Sequence, residues 1–223
     1  MVDLVIYDLD GTLVEFKLDF RSMKMRLVKF LKAKTIPSNI LDPNSKTSVM
    51  LKQLREYLIQ ERWQEKARIA LFKDIFSIIE EYEWIAAQVT NVIPGVEDTL
   101  RIIGDIKIIQ AVWTNCPKVI ADFTLKKFKL LSYFHTVQGR DELTAMKPDP
   151  DGLKVLLDKL FVPPQKALMV GDSSIDIIPA VELGVTAIGI TSGPASREEL
   201  VAAGAFKVIN SIEELPSLIQ QLD

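Results

Sequence analysis

Residues 2–8, VDLVIYD, are a run of apolar side chains closed by a carboxylate, the pattern of a short strand buried on both faces. The period then changes from strand to helix for a long stretch. Phe20, Met23, Leu27, Phe30 and Leu31 recur at helical spacing and predict one helix. Leu51, Leu54 and Leu58 predict a second, and Trp63, Ala67, Ala70, Leu71, Ile78 and Tyr82 a third. Between the first two, PSNILDPNSK at 37–46 is rich in turn formers and reads as a loop or short turn. In VIPGV, residues 92–96, Pro94 and Gly95 interrupt the helical rhythm before a new helix built on Val96, Leu100 and Ile103.

Beyond that break the strand-like runs IKIIQAVWT, FHTVQG, ALMVGD and VTAIGI alternate with helical runs at 117–130, 150–160, 174–183 and 196–203. FKVIN and SIEELPSLIQQL close the chain. Continuous apolar strands alternating with helices predict an α/β fold, a doubly wound, Rossmann-like parallel sheet with helices on both faces. The helical stretch interrupts it after the first strand. The expected organisation is an α/β core from residues 1–14 and 92–223 and an all-helical cap domain over 15–91.

Composition narrows the function classes. At 223 residues and 48% hydrophobic, the chain can bury one sizeable core plus a smaller insert. No apolar run reaches the roughly 18 residues that span a bilayer, and the N-terminus enters a strand pattern directly, so a soluble, cytoplasmic protein with no membrane partner is expected. The net charge of −3 argues against nucleic acid as a partner. Charge is unevenly divided, however: residues 15–91 carry 14 Lys and Arg against 10 Asp and Glu, so a basic insert accompanies an acidic core. With one Cys and one His no internal disulfide or His/Cys zinc cluster can form, and Cys116 and His135 read as structural.

In a doubly wound sheet ligands bind at the carboxyl ends of the strands, so the polar residues there are the ones that could carry chemistry. The first strand delivers Asp8, Asp10 and Thr12, and AVWTN delivers Thr114 and Asn115. MKPDP brings Lys147, and GDSSID brings Asp172, Ser173 and Asp176. Four carboxylates close together raise one another's pKa unless a cation compensates them. Mg2+ prefers oxygen and takes one or two carboxylates, which suits Asp8 and Asp172 as direct ligands, with Asp176 supporting them from behind. Thr12 and Ser173 are counted with Asp176 in that supporting layer. A phosphoryl group explains the remaining donors, since Lys147, Thr114 and Asn115 are cationic or hydrogen-bonding groups that would bind its oxygens. Asp8 is then a candidate nucleophile forming an aspartyl-phosphate, and Asp10 a candidate acid and base.

These motifs, DLDGT at 8–12, Thr114–Asn115, Lys147–Pro148 and GDSSID at 171–176, resemble as a set those of the haloacid dehalogenase-like hydrolase superfamily, in the branch that resembles phosphoglycolate phosphatase and carries a helical cap. The resemblance implies an aspartate nucleophile at Asp8, acid/base work at Asp10, and Mg2+ held by Asp8, the backbone carbonyl of Asp10 and Asp172. It also implies that residues 15–91 are the cap that closes over the site. Relatives that dehalogenate or cleave phosphonates have a non-acidic residue at the Asp10 position, so the resemblance favours phosphate esters. Pro179 departs from the small residue usual there and is expected to bend its helix without removing a ligand. Lys17, Arg21 and Lys24 are taken to share one face of the first cap helix, a face that is either solvated or meets a substrate carboxylate or second phosphate.

The expected activity is therefore hydrolysis of a small phosphorylated metabolite, phosphoglycolate-like compounds first, with Mg2+ as cofactor. A phosphotransferase or sugar phosphomutase using the same intermediate is the alternative. A phospho-accepting regulatory module is disfavoured by the insert and by Asp10, and a P-loop enzyme by the lack of a Gly-rich loop ending in Lys and Ser or Thr.

Overall fold

The computed structural model describes residues 1–40, 47–143 and 145–222. In chain order its main elements begin with β1 (Leu4–Tyr7), α1 (Phe20–Ala33), α2 (Thr47–Gln60), α3 (Glu65–Val89), α4 (Val96–Asp105), β2 (Ile109–Trp113), α5 (Lys118–Lys127) and β3 (Thr136–Gln138). They continue with α6 (Asp151–Leu160), β4 (Ala167–Gly171), α7 (Ser174–Glu182), β5 (Thr186–Ile190), α8 (Arg197–Ala202), β6 (Lys207–Ile209) and α9 (Leu215–Leu222). The chain divides into two compact units, Met1–Lys17 with Ala87–Asp223, and Leu18–Ala86. No described helix is long and apolar enough to cross a membrane.

The first unit is the parallel α/β sheet that the alternating pattern predicts. Its strands lie in the order β3-β2-β1-β4-β5-β6, every neighbouring pair parallel. Successive side chains of a strand face opposite sides of a sheet. Accordingly Leu4 and Ile6 enter one apolar layer with Trp113, Met169 and Leu153, while Val5 and Tyr7 enter the other with Val112, Val170 and Leu100. Tyr7 is buried, and burial raises its pKa well above the ordinary phenol value. Its hydroxyl donates to Gln110 Oε1 at 3.0 Å, so the core loses no hydrogen bond. The chain leaves β1 for β2 on one side and reaches β4 on the other, so the strand order reverses beside β1. In such folds that reversal opens a crevice at the carboxyl ends.

The second unit has its own core, in which Met23, Leu27 and Leu31 of α1 pack with Leu54 and Leu58 of α2 and Leu71, Ile75, Ile78 and Ile79 of α3. α1 starts where Asp19 accepts a hydrogen bond from the Ser22 N–H at 3.0 Å. This start separates Lys17 from the helix and corrects the shared face expected of Lys17, Arg21 and Lys24. The third predicted helix also differs in phase. Trp63 precedes α3, and Ala67 and Ala70 are exposed, because the larger residues from Leu71 to Ile79 set the buried stripe. Ser38–Ile40 forms a single 3-10 turn, and residues 41–46 of the expected loop lie outside the described residues. α7 runs on through Pro179 to Glu182.

Candidate active site

β1 ends in a tight turn that sets out the first carboxylates. The Asp8 N–H completes the β1–β4 ladder on Val170 O, and Leu9 O accepts the N–H groups of Leu13 and Val14 at 2.9 and 3.1 Å. The turn depends on Gly11, which sits at φ +90 where a side chain is strained, and its position leaves no room for one. A Cβ there would lie 2.4 Å from Asp172 Oδ2. The chain reversal therefore presses the backbone of the first motif against the carboxylate that follows β4.

Three of the expected residues meet as a buried group. Asp8, Asp172 and Asp176 each offer a carboxylate oxygen, and these oxygens all lie within 4.8 Å of one another. Lys147 joins them from the segment before α6: its Nζ donates to Asp8 Oδ1 at 2.8 Å and to Asp176 Oδ1 at 2.7 Å, with a side chain 0% exposed. Asp176 Oδ2 in turn accepts the Ser173 N–H at 3.2 Å, which fastens it to the start of α7. Asp176, expected to support the ligands from behind, brings one carboxylate oxygen within 4.8 Å of those of Asp8 and Asp172. The reason is its place on the first turn of α7, which brings its carboxylate back toward the end of β4.

The electrostatics are those of an anion-rich pocket. Burial, then Asp176 and Asp8, push Asp172 well above the usual carboxylate range. Asp176 is pushed up to about 6, mainly by burial and against the pull of Lys147. For Lys147 burial opposes the charge, but Asp176 and Asp8 outweigh it and its pKa rises. Fully ionised, the three carboxylates and one ammonium leave two negative charges, the complement of one divalent cation. The donors are hard oxygens, and in the turn that follows β1 the buried Thr12 Oγ1 has no partner among the described residues. The group thus fits a metal ion that prefers oxygen.

The other expected residues are distributed as follows. Thr114 is buried just past β2; its N–H continues the ladder to Gln138 O, and its hydroxyl accepts the Cys116 N–H at 3.0 Å. Asn115 turns its amide on the backbone of Lys147: Oδ1 accepts the Lys147 N–H at 2.8 Å and Nδ2 donates to Lys147 O at 3.2 Å. Asp10 is partly buried in the turn after β1, where it bridges to Val14, and its side chain is not one of the three in the cluster. Lys17 pairs with Glu15 at 3.0 Å, Arg21 is exposed on α1, and Lys24 lies over the Phe20 ring.

Sequence reasoning missed the segment after β5. A Cβ on Gly193 would lie 1.7 Å from Asp172 Oδ2, and Ser192 Oγ donates to Gly11 O at 2.6 Å. The signal was available, since TSG follows the apolar run VTAIGI at a strand end.

The sequence matches the haloacid dehalogenase-like hydrolases over residues 5–190, which takes in all four motifs. The chain belongs to this family. It is 28% identical to a phosphoglycolate phosphatase of Neisseria meningitidis over 99% of this chain and 94% of that protein. This hydrolase also shares its fold with a predicted phosphatase from Clostridium acetobutylicum, at 24% identity and TM-score 0.70 over 99% of both chains. A Thermotoga maritima protein assigned as a β-phosphoglucomutase shows the same fold at 20% identity and TM-score 0.65, over 100% of both chains. Among haloacid dehalogenase-like hydrolases, it therefore stands with the branch that resembles phosphoglycolate phosphatase, and its enzymatic class is phosphatase.

Proposed function

We propose that the enzyme hydrolyses the phosphate monoester of a small cytoplasmic metabolite, phosphoglycolate or a compound like it, with Mg2+ bound and with the phosphoryl group carried on Asp8. The observation that carries this reading is the buried contact of Lys147 with Asp8, set among Asp172 and Asp176. A cluster built only for stability would gain little from a buried ion pair, because desolvation offsets most of the attraction. The phosphoglycolate phosphatase of N. meningitidis supplies the substrate class.

Asp8, Asp172 and the Asp10 carbonyl would hold Mg2+, with Asp176 adjoining, and the bound ion supplies positive charge to the phosphoryl oxygens. Lys147 engages Asp8 Oδ1, which leaves Oδ2 to attack phosphorus. The phosphorus–oxygen ester bond breaks as that bond forms, and the departing alkoxide takes a proton from the Asp10 carboxyl group. Asp10, now ionised, takes a proton from water as that water attacks phosphorus. The Asp8–phosphorus bond breaks, and inorganic phosphate leaves with Asp8 restored. The Thr114 hydroxyl accepts from the Cys116 N–H and keeps its own proton to donate to a phosphoryl oxygen.

The test is phosphate release from an aryl phosphate and from a panel of phosphorylated acids and sugars, with and without a chelator, in wild type, Asp8→Asn and Asp10→Asn. Release that needs a divalent cation and is lost in Asp8→Asn is expected. Phosphate that moves between positions of a sugar without appearing in solution would make the enzyme a phosphomutase instead.

A further inference from the structure

Lys147 is the one charged side chain of the cluster that is cationic, and its placement has an unassigned support. Its Nζ lies 4.6 Å from the centroid of the Trp113 ring. Trp113 is the last residue of β2, fully buried, with its indole N–H unpartnered among the described residues. A core that needed only volume at this strand end could use Leu, which leaves no buried donor unpaired. The neighbouring helix makes way for the indole: Gly152, in the first turn of α6, would place a Cβ 2.7 Å from Trp113 Nε1. The same Cβ would lie 2.7 Å from Leu143 Cδ1, so glycine here lets α6 approach both the indole and Leu143.

Two of the three ammonium N–H groups go to Asp8 and Asp176, and the electron-rich face of the indole meets a further flank of the same cation. At the other end of the residue, Asn115 clamps the Lys147 N–H and carbonyl, and Arg140 Nη1 donates to Asn115 O at 2.9 Å. We infer that Trp113 and Asn115 are positioning residues for Lys147: the indole fixes where its ammonium stands against Asp8, and the Asn115 amide fixes the backbone from which it reaches. The Asn115 Oδ1 and one of its two Nδ2 N–H groups are thereby engaged by Lys147. The kinetic part of this inference rests on the phosphatase reading; the placement of the ammonium does not.

The experiment is a double-variant cycle of Trp113→Leu and Trp113→Phe against Lys147→Met, read by kcat/KM on an aryl phosphate with Mg2+ and by denaturant midpoint with chelator. A desolvated cation–ring contact predicts a loss of about tenfold or more in kcat/KM for Trp113→Leu and a smaller loss for Trp113→Phe, which keeps a ring. Both losses should vanish in the Lys147→Met background, and the midpoint shifts of the single variants should sum to more than that of the double variant. Asn115→Asp, which keeps the acceptor and loses the donor, should likewise cost nothing further once Lys147 is Met. Additive effects in both readouts, or Leu performing as well as Phe, overturns the inference. If Trp113→Leu does not fold, the Phe cycle alone decides by the same criterion. Should wild type release no phosphate from any ester, the phosphatase reading fails while additive or non-additive midpoints still decide where the ammonium is held.

Discussion

Replacing Gly193 with Ala tests how tightly the β5 segment closes on the cluster. The new methyl would lie 1.7 Å from Asp172 Oδ2 and 2.4 Å from its Cγ, where real Cβ contacts stay beyond 3.0 Å, so something must move by at least 1.3 Å. Asp172 can yield, or the segment can. Ligand distances at metal sites hold to about 0.2 Å, so on the proposed site, with Asp172 as a ligand, a shift on that scale would remove it and divalent-cation affinity should fall by at least about tenfold. If the segment moves instead, the 2.6 Å bond from Ser192 Oγ to Gly11 O is lost and overpacking costs about 1–3 kcal/mol of stability. Calorimetric titration with Mg2+ and denaturant unfolding in chelator separate the two routes. Ser192→Ala, which removes only the hydrogen bond, should cost about 1 kcal/mol and leave cation affinity within a few-fold. A Gly193→Ala protein with wild-type affinity and wild-type stability would refute the placement of Asp172 against this segment.

Three further outcomes follow from the cluster. Lys147→Met leaves Asp8 and Asp176 buried without their cation, and the metal-free protein should lose about 3 kcal/mol by denaturant unfolding; no loss would mean the pair is not buried as described. Asp176, raised from 3.8 to about 6, holds in the folded state a proton that the unfolded chain releases. Its contribution is therefore fully present below about pH 4 and is lost as pH rises through 6, about 3 kcal/mol in all. Unfolding in chelator between pH 4 and 7 should show that fall in wild type relative to Asp176→Asn, and parallel curves would contradict it. Asp10→Asn should lower phosphate release about 100-fold or more while leaving the Mg2+-induced rise in melting temperature intact, since its side chain stands outside the carboxylate group.

Much of this was legible in the sequence because strand ends in a parallel sheet are fixed by where apolar runs stop. VDLVIYD, AVWTN and ALMVGD stop at the residues that meet around Lys147, and the alternation of these runs with helices gave the sheet its parallel, two-faced form. What the pattern could not supply was distance across the crevice. Nothing in GDSSID ranks Asp176 against Asp172. Only the turn of α7 brings both carboxylates to the same group. Asn115 looks like a phosphate donor by type, and its engagement with Lys147 joins segments 32 residues apart that no local period connects. Trp113 reads as one more apolar strand residue until the ammonium is seen over its ring. In the helical unit, spacing identified the helices, while Ala67 and Ala70 were too small to set which stripe turned inward.

The central claim is that Asp8 carries the phosphoryl group. Acid-quenched enzyme, mixed for milliseconds with substrate bearing labelled phosphate and Mg2+, should hold a hydroxylamine-sensitive label on the peptide that contains Asp8, absent in Asp8→Asn and absent with chelator. Label on any other residue, or full turnover by Asp8→Asn, would contradict it.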